Sequence, residues 1–161
     1  MNTRLTYLLE GEEATSHLGR HIARALPEGR LVIHLHGRLG AGKTALVRAI
    51  LRGLGYEGPV RSPTYALVEH YAVGGRRIHH FDLYRLGDPE ELEFIGGREY
   101  FYSADLVLIE WPERGAGHIP AADLDIEIEY VDAGCRRAIL EAHSDVGATL
   151  LRRLESSLPM A

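Results

Sequence analysis

Lysine is all but absent from this sequence. Lys43 stands alone beside 17 arginines. Cysteine is equally scarce: Cys135 is the only one, which excludes an internal disulfide and fits a reducing, cytoplasmic compartment. No stretch approaches the roughly 18 consecutive apolar residues that a membrane-spanning helix needs. The N-terminus lacks the apolar core of a secretory leader. There is no low-complexity tract and no internal repeat. Acidic residues outnumber basic ones, 23 to 18, for a net charge of −5, which argues against tight, unaided binding to nucleic acid. At 161 residues the chain is expected to form one domain, residues 1–161, with room for a sizeable core.

What the sequence does contain centres on Gly37-Arg38-Leu39-Gly40-Ala41-Gly42-Lys43-Thr44. This segment fits G-x-x-x-x-G-K-[ST], the phosphate-binding P-loop. Its setting fits as well. Leu31 to His36 is mostly apolar and reads as a strand, and Ala45 to Arg52 reads as a helix. Strand, glycine-rich loop and helix together are what the motif requires. Glycines at 37, 40 and 42 let successive N–H groups point into one concavity. That concavity lies at a helix N-terminus carrying roughly half a positive charge. Lys43 is placed to reach the β and γ phosphates, and the Thr44 hydroxyl to help hold Mg²⁺. The one lysine retained is where a slim point charge suits the chemistry better than a planar guanidinium.

The rest of the chain reads as follows. Residues 3–9 predict a short strand and Glu12 to Leu26 a helix, with Ala14, Leu18, Ile22 and Leu26 on one face. His17 and His21 share a face of that helix, but no third metal ligand is near them in sequence, and solvent exposure is the simpler reading. Leu46, Ile50 and Leu54 form an apolar stripe on the P-loop helix, and Gly53, Gly55 and Gly58 are expected to loosen its exit. Ser62-Pro63-Thr64 then breaks helical structure. Its distance from the P-loop suits either a nucleotide-sensing segment, with Thr64 toward the γ-phosphate, or a plain connection. Tyr65–Val73 and Arg76–Leu83 predict a hairpin turning at Gly74-Gly75. On the second strand, His79 and His80 point to opposite faces and cannot easily share an ion. His80 and Asp82 share a face, with Asp82 toward the nucleotide and the histidines in supporting roles. Asp88 is expected to cap a short helix with Pro89 at its first position. The aromatic stretch Arg98 to Tyr102 either covers the site, docks a partner or fills core edges.

Leu106-Val107-Leu108-Ile109-Glu110-Trp111 is the second strong signal. Four apolar residues ending in an acid describe a buried parallel strand delivering a carboxylate at its C-terminal end, where folds of this kind bind ligand. Trp111, the only tryptophan, follows it toward the nucleotide. Leu124 to Tyr130 alternates as a half-exposed strand, pairs with Arg136 to Ala142, and precedes a closing amphipathic helix from Gly147 to Leu158. The acidic stripe Asp125, Glu127 and Glu129 reads as solvated rather than as a metal site. Together the elements predict an α/β, three-layer P-loop NTPase fold whose mixed, largely parallel central sheet is flanked by helices.

The segments Gly40-Ala41-Gly42-Lys43-Thr44, Ser62-Pro63-Thr64-Tyr65, His80-Phe81-Asp82-Leu83-Tyr84-Arg85-Leu86, Glu91-Leu92-Glu93 and Ile109-Glu110-Trp111-Pro112 occur in an order that resembles the bacterial TsaE family, from about residue 5 to 155. The P-loop alone would indicate only a superfamily; the HFDLYRL and IEWP segments are far more specific. The resemblance implies a small ATPase of tRNA threonylcarbamoyladenosine biosynthesis. Such a protein binds and hydrolyses ATP on the TsaB–TsaD pair to reset it between turnovers and touches tRNA only through that complex. It further implies ATP and Mg²⁺ as ligands. Lys43, Asp82 and Glu110 would be catalytic, and Thr44 and Glu110 would hold the metal. Gly37, Leu39, Gly40, Ala41, Gly42, Lys43, Thr44, Thr64, Asp82 and Trp111 would surround the nucleotide, with Glu12 and Gly134 near its base. Two positions depart from the family pattern. Ala45 stands where a second Thr is usual, removing a hydroxyl contact worth about 1 kcal/mol, and Arg38 stands where Asp is common.

Other nucleotide-binding classes remain to be weighed. A small-molecule kinase of the nucleoside or nucleotide type has similar length and the same loop. It also needs an acceptor pocket and an arginine-rich lid, and neither Arg76-Arg77 nor Arg136-Arg137 lies in a lid-like insertion. A GTP switch needs an N-K-x-D segment, which a chain with one lysine already in its P-loop cannot supply. A non-hydrolysing nucleotide-binding module is the fourth possibility, and two carboxylates at strand ends weigh against it.

Overall fold

In the computed structural model, residues 3–61, 63 and 67–160 are described. Seven strands form one sheet: β1 (Arg4–Glu10), β2 (Leu31–His36), β3 (Val68–Val73), β4 (Arg76–Asp82), β5 (Leu106–Glu110), β6 (Leu124–Asp132) and β7 (Cys135–Ala142). Their spatial order is β1-β7-β6-β2-β5-β4-β3. The central four, β6-β2-β5-β4, run parallel, while β1, β7 and β3 join antiparallel at the two sides. The helices are α1 (Glu12–Ala25), α2 (Lys43–Gly53), α3 (Glu91–Phe94), α4 (Gly97–Ser103) and α5 (Asp145–Ser157). This is the expected three-layer α/β architecture.

The two faces of the sheet are covered unequally. On one, Ile33, Leu35, Leu108, Ile126 and Leu140 meet Leu18 and Ile22 of α1, Leu46 and Ile50 of α2, and Leu150 and Leu154 of α5 in the larger core. On the other, Val32, Phe81, Val107 and Ile109 meet Leu83, Leu92 and Phe101, so the short α3 and α4 serve the β4-β5-β2 half. Within the aromatic stretch Phe101 fills the core, packing on Phe81 with ring centroids 4.5 Å apart, while Tyr102 is exposed. Among the described residues, no helix is long and apolar enough to cross a membrane.

Three local expectations are corrected. Gly53 does not loosen the exit of α2. It is the helix's last residue, and a Cβ there would lie 2.7 Å from Cβ of Ala23. Gly19 faces Ala49 in the same way, at 2.2 Å, so the pair lets α1 and α2 approach closely. Asp88 does not cap α3 directly; its Oδ1 accepts from the N–H of Glu90 at 2.9 Å, closing a turn before α3 begins at Glu91. Asp125 is only partly solvated, because His36 and His143 both contact its carboxylate at 2.6 Å. The Gly74-Gly75 turn is as expected, with φ of 58° and 79°, the both-positive pattern of a tight hairpin.

Candidate nucleotide site

β2 hands the chain to the P-loop at Gly37, where φ is 150° and a Cβ would stand 2.8 Å from the carbonyl oxygen of Ile128. Only glycine fits there. Gly42, in the left-handed region, starts α2, whose first turn contains no acidic side chain. By contrast α1 begins with Glu12 and Glu13. The positive end of the α2 dipole is thus left for an outside anion.

Lys43 is buried, 4 % exposed. Its ammonium donates to the carbonyl of Gly37 and stands 3.8 Å from the centre of the Trp111 ring, a cation–π contact. Burial pushes its pKa down, opposed by the nearby Glu110, Asp82 and Glu113 carboxylates.

Glu110 ends β5, buried at 2 % exposure. The Thr44 hydroxyl lies 3.2 and 3.1 Å from its two carboxylate oxygens. Behind it, His80 Nε2 lies 2.6 Å from Oε2, with His80 wholly enclosed. A ring N–H donating to the carboxylate accounts for so short a contact. Nδ1 of the same ring is buried and has no partner among the described residues. β4 and β5 are in register so that Asp82 pairs with Glu110, bringing both acids to the same end of the sheet. Asp82 Oδ1 accepts from the N–H of Tyr84 at 3.1 Å, which fixes the turn after β4.

Trp111 adopts φ 58° and ψ 51°, a left-handed conformation costing a non-glycine residue about 1–2 kcal/mol. The distortion aims its ring at Lys43 and against Tyr84, whose ring centroid is 5.0 Å away. The Arg114 guanidinium approaches both rings, 5.3 Å from Tyr84 and 5.8 Å from Trp111.

On the other side of the loop lies a cleft of about 510 Å³ lined in part by Glu12, Gly40, Ala41, Gly42, Ala45 and Gly134. Its size is that of a small-molecule site. The N–H of Gly11 donates to the Gly134 carbonyl at 2.8 Å, tying its two outer turns together. Glu12 and Gly134 thus line the same cleft as Gly40, Ala41 and Gly42 of the P-loop. Leu39 does not line the cleft and is 70 % exposed. Lys43, Thr44 and Glu110 form the opposite flank. Thr64, together with Ser62 and Tyr65, lies outside the described residues.

His17 is exposed and packs edge-on against His21 at 4.4 Å. His79 turns away from the site toward His70, with Nδ1 atoms 2.7 Å apart. His80, read from sequence as a supporting residue on the face of Asp82, supports Glu110 instead. One neighbour of the site, Arg114, has no signal in the sequence.

The profile of the family described as "Threonylcarbamoyl adenosine biosynthesis protein TsaE" matches residues 9–139. The chain belongs to the TsaE family. The matched stretch includes every TsaE-like segment read from the sequence and ends before α5. A curated relative, the tRNA threonylcarbamoyladenosine biosynthesis protein TsaE of Haemophilus influenzae, is 44 % identical over 151 residues, 91 % of this chain and 95 % of its own. The protein of the same name from Aquifex aeolicus is 39 % identical over 132 residues, 81 % and 90 % of the two chains. Among solved structures, Bacillus subtilis YdiB superposes with a TM-score of 0.80 at 26 % identity, covering 98 % of this chain and 97 % of its own.

Proposed function

We propose that this chain is the ATP-binding, slowly ATP-hydrolysing member of the tRNA threonylcarbamoyladenosine machinery, acting on a TsaB–TsaD pair in the cytoplasm to support repeated turnover. The observation that carries the reading is the Thr44 hydroxyl within 3.2 Å of both oxygens of buried Glu110, at the mouth of a P-loop whose helix dipole is uncompensated.

Thr44 and Glu110 converge as oxygen donors, which fits a hard divalent ion such as Mg²⁺. The ion would supply charge neutralisation for the phosphates. The loop amides from Gly37 to Thr44 would hold the phosphates. Lys43 would exchange the Gly37 carbonyl for phosphate oxygen. Asp82, beside Glu110, would orient the attacking water, and His80 would hold Glu110 in place. The cleft between Glu12, Ala45 and Gly134 would receive the base, and Thr64 would face the γ-phosphate. Trp111 would move with Lys43.

Turnover in isolation is expected to be slow. A cation completing the site during the reaction can add about 10³–10⁵ in rate. Arg114 faces two rings rather than the loop, and Arg136 Nε donates to the Ala41 carbonyl at 3.3 Å, so a cation from the partner complex would complete the site. With a net charge of −5, tRNA would be reached through the partners.

Calorimetric titration with ATP tests the first half of the proposal. Binding should require Mg²⁺ for full affinity and weaken at least about tenfold in Thr44→Ala, roughly one charge-assisted contact. Affinity independent of both Mg²⁺ and Thr44 would contradict it.

A further inference from the structure

The half of the second sheet face that α3 and α4 do not serve carries a histidine cluster. β2 presents His34 and His36 two residues apart, hence on one face. β6 lies next to β2 with His34 opposite Asp125. One ligand atom each from His34, His36 and Asp125 falls within 4.8 Å of the others. His36 Nε2 is 2.6 Å from Asp125 Oδ1, and His34 Nδ1 is 3.9 Å from the same oxygen.

The protonation pattern of His34 is fixed by its other nitrogen. Nε2 lies 3.0 Å from the carbonyl oxygen of Pro120, which can only accept, so Nε2 carries the hydrogen. In the neutral ring, Nδ1 then offers a lone pair toward a carboxylate oxygen. That lone pair faces Asp125 Oδ1 across 3.9 Å, a gap that a water or a cation can bridge. Tetrahedral Zn²⁺ with bonds of about 2.0–2.2 Å holds neighbouring ligand atoms roughly 3.3–3.6 Å apart, so an ion would draw His34 Nδ1 and Asp125 Oδ1 together and take the place of the proton in the 2.6 Å His36–Asp125 hydrogen bond. A ligating histidine whose far N–H is held by a backbone carbonyl is also the common supporting arrangement at metal centres. His143 Nε2, 2.6 Å from Asp125 Oδ2, orients the carboxylate from its other side. His36 and Asp125 line a cleft of about 300 Å³ that also holds Arg4, Glu127 and Glu141, which gives a hydrated ion a way in to those two ligands.

We propose that His34, His36 and Asp125 form a binding site for a late first-row divalent cation, Zn²⁺ foremost. Two imidazoles and one carboxylate suit Zn²⁺, Ni²⁺ or Cu²⁺ and not Mg²⁺, which prefers oxygen ligands. The site is therefore chemically distinct from the oxygen pair of Thr44 and Glu110. Solvent completes the coordination. His36 directly precedes Gly37, so a bound ion fixes the residue from which the P-loop departs.

The test uses the full, tag-free chain after removal of metal by a chelator. Titration with Co²⁺ should give one equivalent with the visible bands of a low-coordinate nitrogen–oxygen site, displaced by Zn²⁺ and untouched by excess Mg²⁺. His36→Gln and His34→Gln should each weaken binding more than about 100-fold, beyond what loss of a supporting contact causes. His17→Gln, with its exposed ring pair, should change nothing. Anomalous scattering from a Zn²⁺-soaked crystal of the wild-type chain locates the ion without any variant, and density between His34, His36 and Asp125 is the expected result. Absence of stoichiometric binding, binding unaffected by His36→Gln, or an ion found at another histidine pair would overturn the proposal.

Discussion

His80 Nε2 lies 2.6 Å from Oε2 of Glu110, and neither side chain reaches solvent in any useful measure. Strand pairing creates the contact: β4 and β5 run side by side, with His80 opposite Leu108 and Asp82 opposite Glu110. A carboxylate buried this deeply needs partners, and it has two, the imidazole behind it and the Thr44 hydroxyl in front.

Removing the imidazole should therefore affect both folding and function. His80→Ala leaves Glu110 without its rear donor, at a cost of about 1.5–3 kcal/mol for a hydrogen bond to a charged group. Urea denaturation should show that loss. ATP hydrolysis should fall more than ATP affinity, because Glu110 would lose its orientation while the loop amides remain. His80→Gln, which can still donate to the carboxylate, should recover part of both. Equal stability in wild type and His80→Ala would contradict this account.

Trp111 gives the site its own optical probe, since it is the only tryptophan in the chain and Lys43 stands 3.8 Å from its ring centre. A nucleotide that draws the ammonium toward phosphate removes a cation from the indole face. Tryptophan fluorescence should thus change saturably on titration with ATP. Lys43→Met should begin near the nucleotide-bound signal and respond weakly. A wild-type signal indifferent to ATP would show that the ring and the lysine do not move with the ligand.

The alkaline limb of stability should depend on Tyr7. Its hydroxyl donates to the Leu158 carbonyl at 2.6 Å. Burial first, and Glu155 second, push its pKa from 10.0 up to about 12. The neutral form is thus favoured in the folded state. Above the unfolded value the unfolded chain releases the proton first, so stability falls as pH rises from 10.0 to about 12. Below pH 10 the contribution is complete. Thermal melts across that window should decline more steeply for the wild type than for Tyr7→Phe. Parallel slopes would remove Tyr7 from the explanation.

What could be read from sequence was what is local in the chain. The P-loop follows from glycine spacing within eight residues, and β5 from four apolar residues ending in an acid. Gly74-Gly75 announces its turn by the backbone angles it permits. What could not be read depends on strand pairing or helix packing. The contact of His80 with Glu110 spans 30 residues of sequence and exists because β4 and β5 are neighbours. Asp125 reads as one of three acids on an alternating strand, and only the adjacency of β2 and β6 brings His36 to it across 89 residues. Gly53 looks like a loosening residue at a helix end, and its use in the approach of α2 to α1 becomes visible only with Ala23 opposite. Trp111 was expected near the nucleotide, but its left-handed backbone, which aims the ring, has no signature in its residue type.

On the proposed function, ATP turnover belongs to a complex with TsaB and TsaD rather than to the isolated chain. The measurement that tests it most directly is steady-state ATP hydrolysis by the purified chain alone and with TsaB plus TsaD, for wild type and Glu110→Ala. The account predicts slow hydrolysis alone, a marked rise with the partner pair, and loss of that rise in Glu110→Ala. Equal turnover with and without partners would contradict it and turn attention to phosphate acceptors, as expected of a small-molecule kinase.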